Sequence, residues 1–557
     1  MKTDVDIAAE VSPRHISDIA NDLGVPPEDL ISYGNSMAKV HHRILEKPRQ
    51  RAGKSKLVLV SAITPTPAGE GKTTTTIGLG QALGRLGESV CLALREPSLG
   101  PCMGMKGGAT GGGYSQVLPA DRINLHFTGD FHAITSANNL LSAALDNHLY
   151  FGKKPRLDPR RVLWRRVLDM NDRSLRHLVM GLGGRTQGMP REGGFDITAA
   201  SEVMAMLCLA ENFEDLRERI NRTLVGFSYE GEPVLAESLE VTGAMLALLR
   251  DALHPNLVQT LEGVPALIHG GPFANIAHGC NSVLATRTAM HLADWAVTEA
   301  GFGFDLGAEK FFDIKCRTAG LDPDLVVLVS TLRALKMHGG KDVSQLDAPD
   351  TEAVSSGLPN LEKHVENVRH FGMEPVVALN RFAGDQEEEI EVVRACCENL
   401  GVRFAVSDHY ARGGEGAEDL AKALIEAAAD DRSPWAPLYD LADSVPDKIL
   451  KVAQKVYGAR DVEYTKKAEK DLMEIKNLGY EGLPICIAKA PSSLSDDPSL
   501  RGRPHDFEVT VREIQVCAGA GFLVVLTGLI LRMPGLPREP MATGIDLLED
   551  GTVIGLS

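Results

Sequence analysis

Short apolar runs recur along the chain at 57–63, 89–94, 265–268, 325–330 and 375–379, each four to seven residues long and rich in Val, Leu and Ile. They do not alternate apolar with polar residues. Such runs are expected to be strands covered on both faces, which is the signature of a mostly parallel sheet with helices on either side. Gly, Pro and charged residues close each run, and helix-compatible segments lie between them. The expected fold class is therefore α/β, with a large first domain at 1–365, a second α/β domain at 366–437 and a C-terminal α+β domain at 438–557. Residues 1–50, the basic segment 153–176, 204–209 and 443–478 are expected to be helical, the basic segment as a surface helix or subunit contact. Residues 430–437 read as a linker and 483–557 as strand-rich.

The first run organises the rest. It leads into Thr64-Pro65-Thr66-Pro67-Ala68-Gly69-Glu70-Gly71-Lys72-Thr73-Thr74 and then into a helix-compatible stretch. In a strand, turn and helix of this kind, backbone N–H groups without helical partners converge on one spot, where the helix dipole also favours phosphate. Residues Thr66, Pro67, Ala68, Gly69, Glu70, Gly71, Lys72, Thr73 and Thr74 are the expected phosphate contacts. Lys72 would reach the β- and γ-phosphates, and the Thr73 hydroxyl would hold Mg²⁺. The G-x-x-x-x-G-K-[ST] pattern begins with Gly, but here Thr66 stands between two prolines, so the loop is a stiff variant of the P-loop. The expected ligand is Mg-ATP.

In open α/β sheets ligands collect at the carboxyl ends of strands, which makes Arg95 and Glu96, after the run 89–94, site candidates. The glycine-rich stretch 100–113 is either a flexible loop or an anion contact built around Lys106. Residues 125–132 place His126, Asp130 and His132 together, a set better suited to hydrogen-bonding a substrate than to a metal. Asn380, Phe382 and Asp385 follow the run 375–379; they either face an adenine or form a plain strand-end turn. Gly301 and Gly303 lack a third glycine at Leu306, which argues against a dinucleotide fingerprint.

Composition narrows the partners. The 557 residues are 24% charged and 44% hydrophobic, so the chain should fold throughout. A formal net charge of −17 argues against nucleic acid or an anionic membrane as the main partner. The nine cysteines include no C-x-x-C pair, the longest apolar run is too short to span a bilayer, and the first residues do not form a signal peptide, so a cytoplasmic location is expected.

Together these motifs resemble the formate–tetrahydrofolate ligase family over nearly the whole chain. The segments that carry the resemblance are 64–76, 95–101, 107–114, 124–130, 270–282, 298–310 and 533–537. The resemblance implies a reaction of ATP, formate and tetrahydrofolate, with or without a polyglutamate tail, giving ADP, phosphate and 10-formyltetrahydrofolate through formyl phosphate. It also implies a homotetramer activated by K⁺ or NH₄⁺. Lys72, Arg95 and Asp130 would be catalytic; Lys106, Asp130, Phe302 and Tyr410 would contact folate; Glu96 would serve the monovalent cation. Three departures stand out: Tyr410 where Trp is common, Phe304 where Ala is usual and adds bulk beside the folate cleft, and Lys489-Ala490-Pro491-Ser492-Ser493 in place of Lys-Thr-Gln-Tyr-Ser. Rival readings are an acyl-phosphate ligase similar to dethiobiotin synthetase, a partitioning-type ATPase and a structural nucleotide binder.

Overall fold

In the computed structural model, which describes residues 3–105, 109–431, 433–528 and 530–556, the apolar runs become neighbours in one sheet. Its main strands in chain order are β1 (Leu30–Ser32), β2 (Ala38–Val40), β3 (Lys56–Ala62), β4 (Val90–Leu94), β5 (Asn256–Thr260), β6 (Pro265–Ile268), β7 (Trp295–Glu299), β8 (Leu325–Ser330), β9 (Pro375–Asn380) and β10 (Arg403–Ser407). Across the sheet they run β1-β2-β5-β6-β4-β7-β3-β8-β9-β10. From β6 to β10 every pairing is parallel, and the antiparallel pairs are confined to the β1 edge.

The unbroken apolar runs are explained by two cores, one on each face. Leu57, Leu59 and Ile63 enter the first, Val58, Val60 and Ala62 the second. Helices α1 (Lys72–Arg85), α2 (Asp130–Phe151), α3 (Val283–Leu292), α4 (Thr351–His370) and α5 (Glu418–Ala427) cover these faces. Ile77 and Leu83 of α1 and Leu420 and Leu424 of α5 fill the second core, while α2, α3 and α4 contribute Leu141, Leu284 and Leu361 to the first. Fully burying one such side chain contributes roughly 1.5–3 kcal/mol, so the sheet is a rigid frame for whatever sits on its edge.

Three expectations fail. Residues 3–50 are α-helical only at Asp4–Ala9 and Ile16–Asp22, with short 3₁₀ turns at Pro27–Asp29 and His42–Glu46, and supply β1 and β2. The basic segment forms strands Leu157–Val162 and Arg166–Leu168, because Pro155 and Pro159 cannot sit in a helix interior. Its arginines meet acids instead of forming a free basic face: Arg160 pairs with Asp158, Arg161 with Glu474 and Arg166 with Asp146. Residues 443–478 contain helices Val445–Val452 and Lys466–Asn477, but a strand, Asp461–Tyr464, lies between them and pairs with Glu508–Val511. Strands Ile485–Ala488, Glu513–Cys517 and Phe522–Leu526 agree with the strand-rich end of the chain. No helix among the described residues is long and apolar enough to cross a membrane.

Candidate active site

Seven parallel strands deliver their carboxyl ends to one edge, where Thr64, Arg95, Glu299, Thr331, Asn380 and Asp408 all stand. The loop from β3 to α1 is held from below. Glu70, only 1% exposed, turns inward: its Oε1 accepts the Thr66 N–H at 2.6 Å and its Oε2 accepts the Thr331 hydroxyl. The Glu70 carbonyl accepts Asn380 Nδ2 at 3.1 Å. Gly71 lies in the left-handed region at φ 70°, and a Cβ there would fall 2.5 Å from Asn380 Nδ2, so glycine is required on both counts. Pro67 and Ala68 are exposed, and Gly71, Lys72, Thr73 and Thr74 are half-buried at the start of α1. Their N–H groups belong to a helix's first turn, which is where an anion is favoured.

Thr73 and Arg95 share one carboxylate. The Thr73 hydroxyl donates to Glu299 Oε2 at 2.7 Å, and Arg95 Nε lies 3.7 Å from Glu299 Oε1, an ion pair too long to be a hydrogen bond. Glu299 is nearly buried, Arg95 about one quarter exposed. Gly301 makes room for the guanidinium, since a Cβ there would stand 2.8 Å from Arg95 Nη1.

Asp130 begins α2 after Gly129 and is held by residues far away in sequence. Lys39 Nζ donates to both its oxygens at 2.8 and 2.9 Å, and Asn256 Nδ2 donates to Oδ2 at 2.8 Å. Lys39 and Asp130 are both buried. Close by in charge, Glu96 is buried with no partner for Oε2 among the described residues; burial, and then the Asp130 charge, hold its carboxyl well above the usual carboxylate range, with Lys39 opposing.

The remaining candidates divide. The Phe382 N–H donates to Asp385 Oδ2 at 2.8 Å, and the Arg333 guanidinium lies 4.1 Å over the Phe382 ring. Asn380 Nδ2 reaches the 64–74 loop at the Glu70 carbonyl. A strand-end turn accounts for the contact between Phe382 and Asp385. Phe302 is half-buried with a left-handed backbone at φ 57°. Phe304 is fully buried against Phe312 and Phe371, so its extra bulk is absorbed by the core and does not line a cleft. Tyr410 is 46% exposed, lies over the glycine turn at 112–113 and donates its hydroxyl to Asp4 Oδ1 at 3.0 Å. Lys106 lies outside the described residues. Lys489, at the head of the divergent segment, is buried 2.6 Å from Asp305 and so ties the C-terminal strands to the turn after β7.

Sequence reasoning missed Lys39, Asn256 and the bridging role of Glu299. The first two have no local signal, because they lie 91 and 126 positions from Asp130 in the chain. Glu299 could have been found as the third acid or base at a strand's carboxyl end. The loop, the Thr73–Glu299–Arg95 chain and the buried Asp130 stand on one sheet edge. The family model for formate–tetrahydrofolate ligase matches residues 2–557, and the chain therefore belongs to that family.

Proposed function

We propose a division of labour for the ATP-dependent ligation of formate to tetrahydrofolate in which the 64–74 loop acts as a variant P-loop. Its amides and Lys72 hold the ATP phosphates, and formate attacks the γ-phosphorus to give formyl phosphate and ADP. The folate amine then attacks the formyl carbon, phosphate leaves with the C–O bond pair, and the nitrogen loses its proton to the departing phosphate. Arg95 holds the acyl phosphate between the two steps by a planar fork of N–H donors. Thr73 gives its proton to Glu299, which leaves its lone pairs for a hard cation, so the pair fits Mg²⁺. Bound Mg²⁺ neutralises phosphate charge. The orphaned Glu96 Oε2 likewise fits K⁺ or NH₄⁺. Lys39 and Asn256 take three of the roughly four acceptor positions of the Asp130 carboxylate, which leaves one to orient the folate.

The observation that carries this reading is Glu299, which ties the phosphate loop to Arg95 through one carboxylate. Formate-dependent ADP release, measured with and without tetrahydrofolate, tests it. Release that ignores formate would exclude acyl-phosphate chemistry and favour a switch-type ATPase.

The same reading divides the chain at 365 and 437, with the second unit continuing the first unit's sheet through β9 and β10. It places the protein in the cytoplasm, in keeping with nine free cysteines. It also makes the protein a homotetramer. Phe151, Val179 and Leu182 expose 66%, 60% and 65% of their surface along one stretch of chain, a surface suited to a subunit contact. Sedimentation at micromolar concentration is expected to give about four times 59.9 kDa; a species of 59.9 kDa would rule the tetramer out.

Tyr410→Ala is expected to raise the KM for tetrahydrofolate roughly tenfold, since a stacked ring contributes on the order of 1 kcal/mol beyond its area, and to leave the KM for ATP unchanged. Tyr410→Phe, which loses only the bond to Asp4, should behave as wild type. Equal losses for both substrates would instead place the ring in the fold.

A further inference from the structure

We propose that His41, His42 and His254 form a binding site for a single transition-metal ion of the Zn²⁺ class. His41 and His42 follow β2, and His254 stands just before β5. Those strands pair antiparallel, with Lys39 opposite Asn256, so three histidines from two distant stretches of chain gather at one end of the strand pair. They are the one such trio among the described residues, with all three donor nitrogens within 4.8 Å of one another. His42 Nδ1 and His254 Nδ1 are 3.2 Å apart. Two imidazoles bound at 2.0–2.1 Å to one tetrahedral ion would have nitrogens about 3.3 Å apart, so this edge already has the span of a ligand pair.

The third ligand needs a modest adjustment. His41 Nδ1 accepts a 3.2 Å bond from the Arg43 N–H, and coordination would replace that bond. The half-buried ring packs against His42 and His254, at 4.9 and 4.2 Å between ring centres, and coordination would re-aim it within that cluster. Burial, and after it the neighbouring rings, push His254 down to about 3, and burial also lowers His41 and His42. All three rings are therefore neutral at pH 7, and each then offers one ring-nitrogen lone pair to an ion. Phe213 stands edge-on to His42 and His254, at 5.2 and 6.0 Å between ring centres, and forms an apolar wall on one side. Three imidazoles with no carboxylate select Zn²⁺, Co²⁺ or Ni²⁺ over Mg²⁺ or Ca²⁺.

The ion would act as a clasp. The His254 carbonyl accepts Lys39 Nζ at 3.0 Å, so locking this corner also locks the strand pair that presents Lys39 and Asn256 to Asp130. The claim of binding does not depend on the role given to Asp130.

The test uses untagged, chelator-stripped full-length protein titrated with Co²⁺, followed by the visible d–d bands, and with Zn²⁺ by equilibrium dialysis. One ion per chain is expected, together with a higher unfolding temperature. His42→Ala, at a half-buried position that should still fold, is expected to lose at least tenfold in affinity and all of the thermal gain, and His254→Ala should do the same. If His42→Ala binds the ion as wild type does, if stripped wild type binds none, or if the ion is lost in His126→Ala or His132→Ala instead, the assignment is wrong.

Discussion

Arg95→Lys is expected to bind ATP almost normally and yet to lose a hundredfold to a thousandfold in ligation rate, the range seen when one preorganised donor to a transition state is removed, about 2.7–4 kcal/mol. The geometry explains the split. Arg95 leaves the end of β4 and is steadied by Glu299, whose other oxygen takes the Thr73 hydroxyl, so the guanidinium is aimed by the group that also holds the 64–74 loop. A lysine keeps the charge and can still pair with Glu299. It cannot present two parallel N–H donors to an acyl phosphate. The gap left by Gly301, sized to the guanidinium, would go partly unfilled. The partial back-reaction, in which added formyl phosphate and ADP make ATP, should fall as steeply as the forward reaction. A variant that makes ATP this way at close to the normal rate would show that Arg95 does not hold the intermediate.

What the sequence revealed and what it hid follow from how far apart the interacting groups lie. Residues 57–74 carry strand, turn and helix signals side by side, so the loop and its position on the sheet edge could be read directly, as could β4 followed by Arg95. Local pattern also misled. Arg160, Arg161, Arg165 and Arg166 look like a basic face only while their acids, one of them 313 positions away, are out of sight. Asp130 could be singled out by type, but not as one half of a buried pair, because Lys39 sits in a three-residue strand whose burial is decided by β5. Phe304 shows the same limit. Its neighbours in sequence border the loop turn, while its ring joins a core completed by Phe371.

Lys39→Met is expected to be the most damaging change to stability outside the apolar cores. Lys39 and Asp130 are 0% and 3% exposed in their side chains, so the pair pays its desolvation cost in full, and removing one partner leaves a carboxylate buried with only Asn256 to satisfy it. Breaking such a pair typically costs 3–5 kcal/mol, a large share of a domain's stability. Urea unfolding should show a lower midpoint with an unchanged slope, because the surface exposed on unfolding is the same. The double variant Lys39→Met/Asp130→Leu separates stability from function. Replacing both charges with apolar groups of similar size removes the uncompensated carboxylate, so most of the lost stability should return. Folate binding should not return, since the oriented carboxylate is gone. Wild-type stability in the single variant would mean that solvent reaches Asp130, and recovery of tetrahydrofolate affinity in the double variant would remove Asp130 from the folate site.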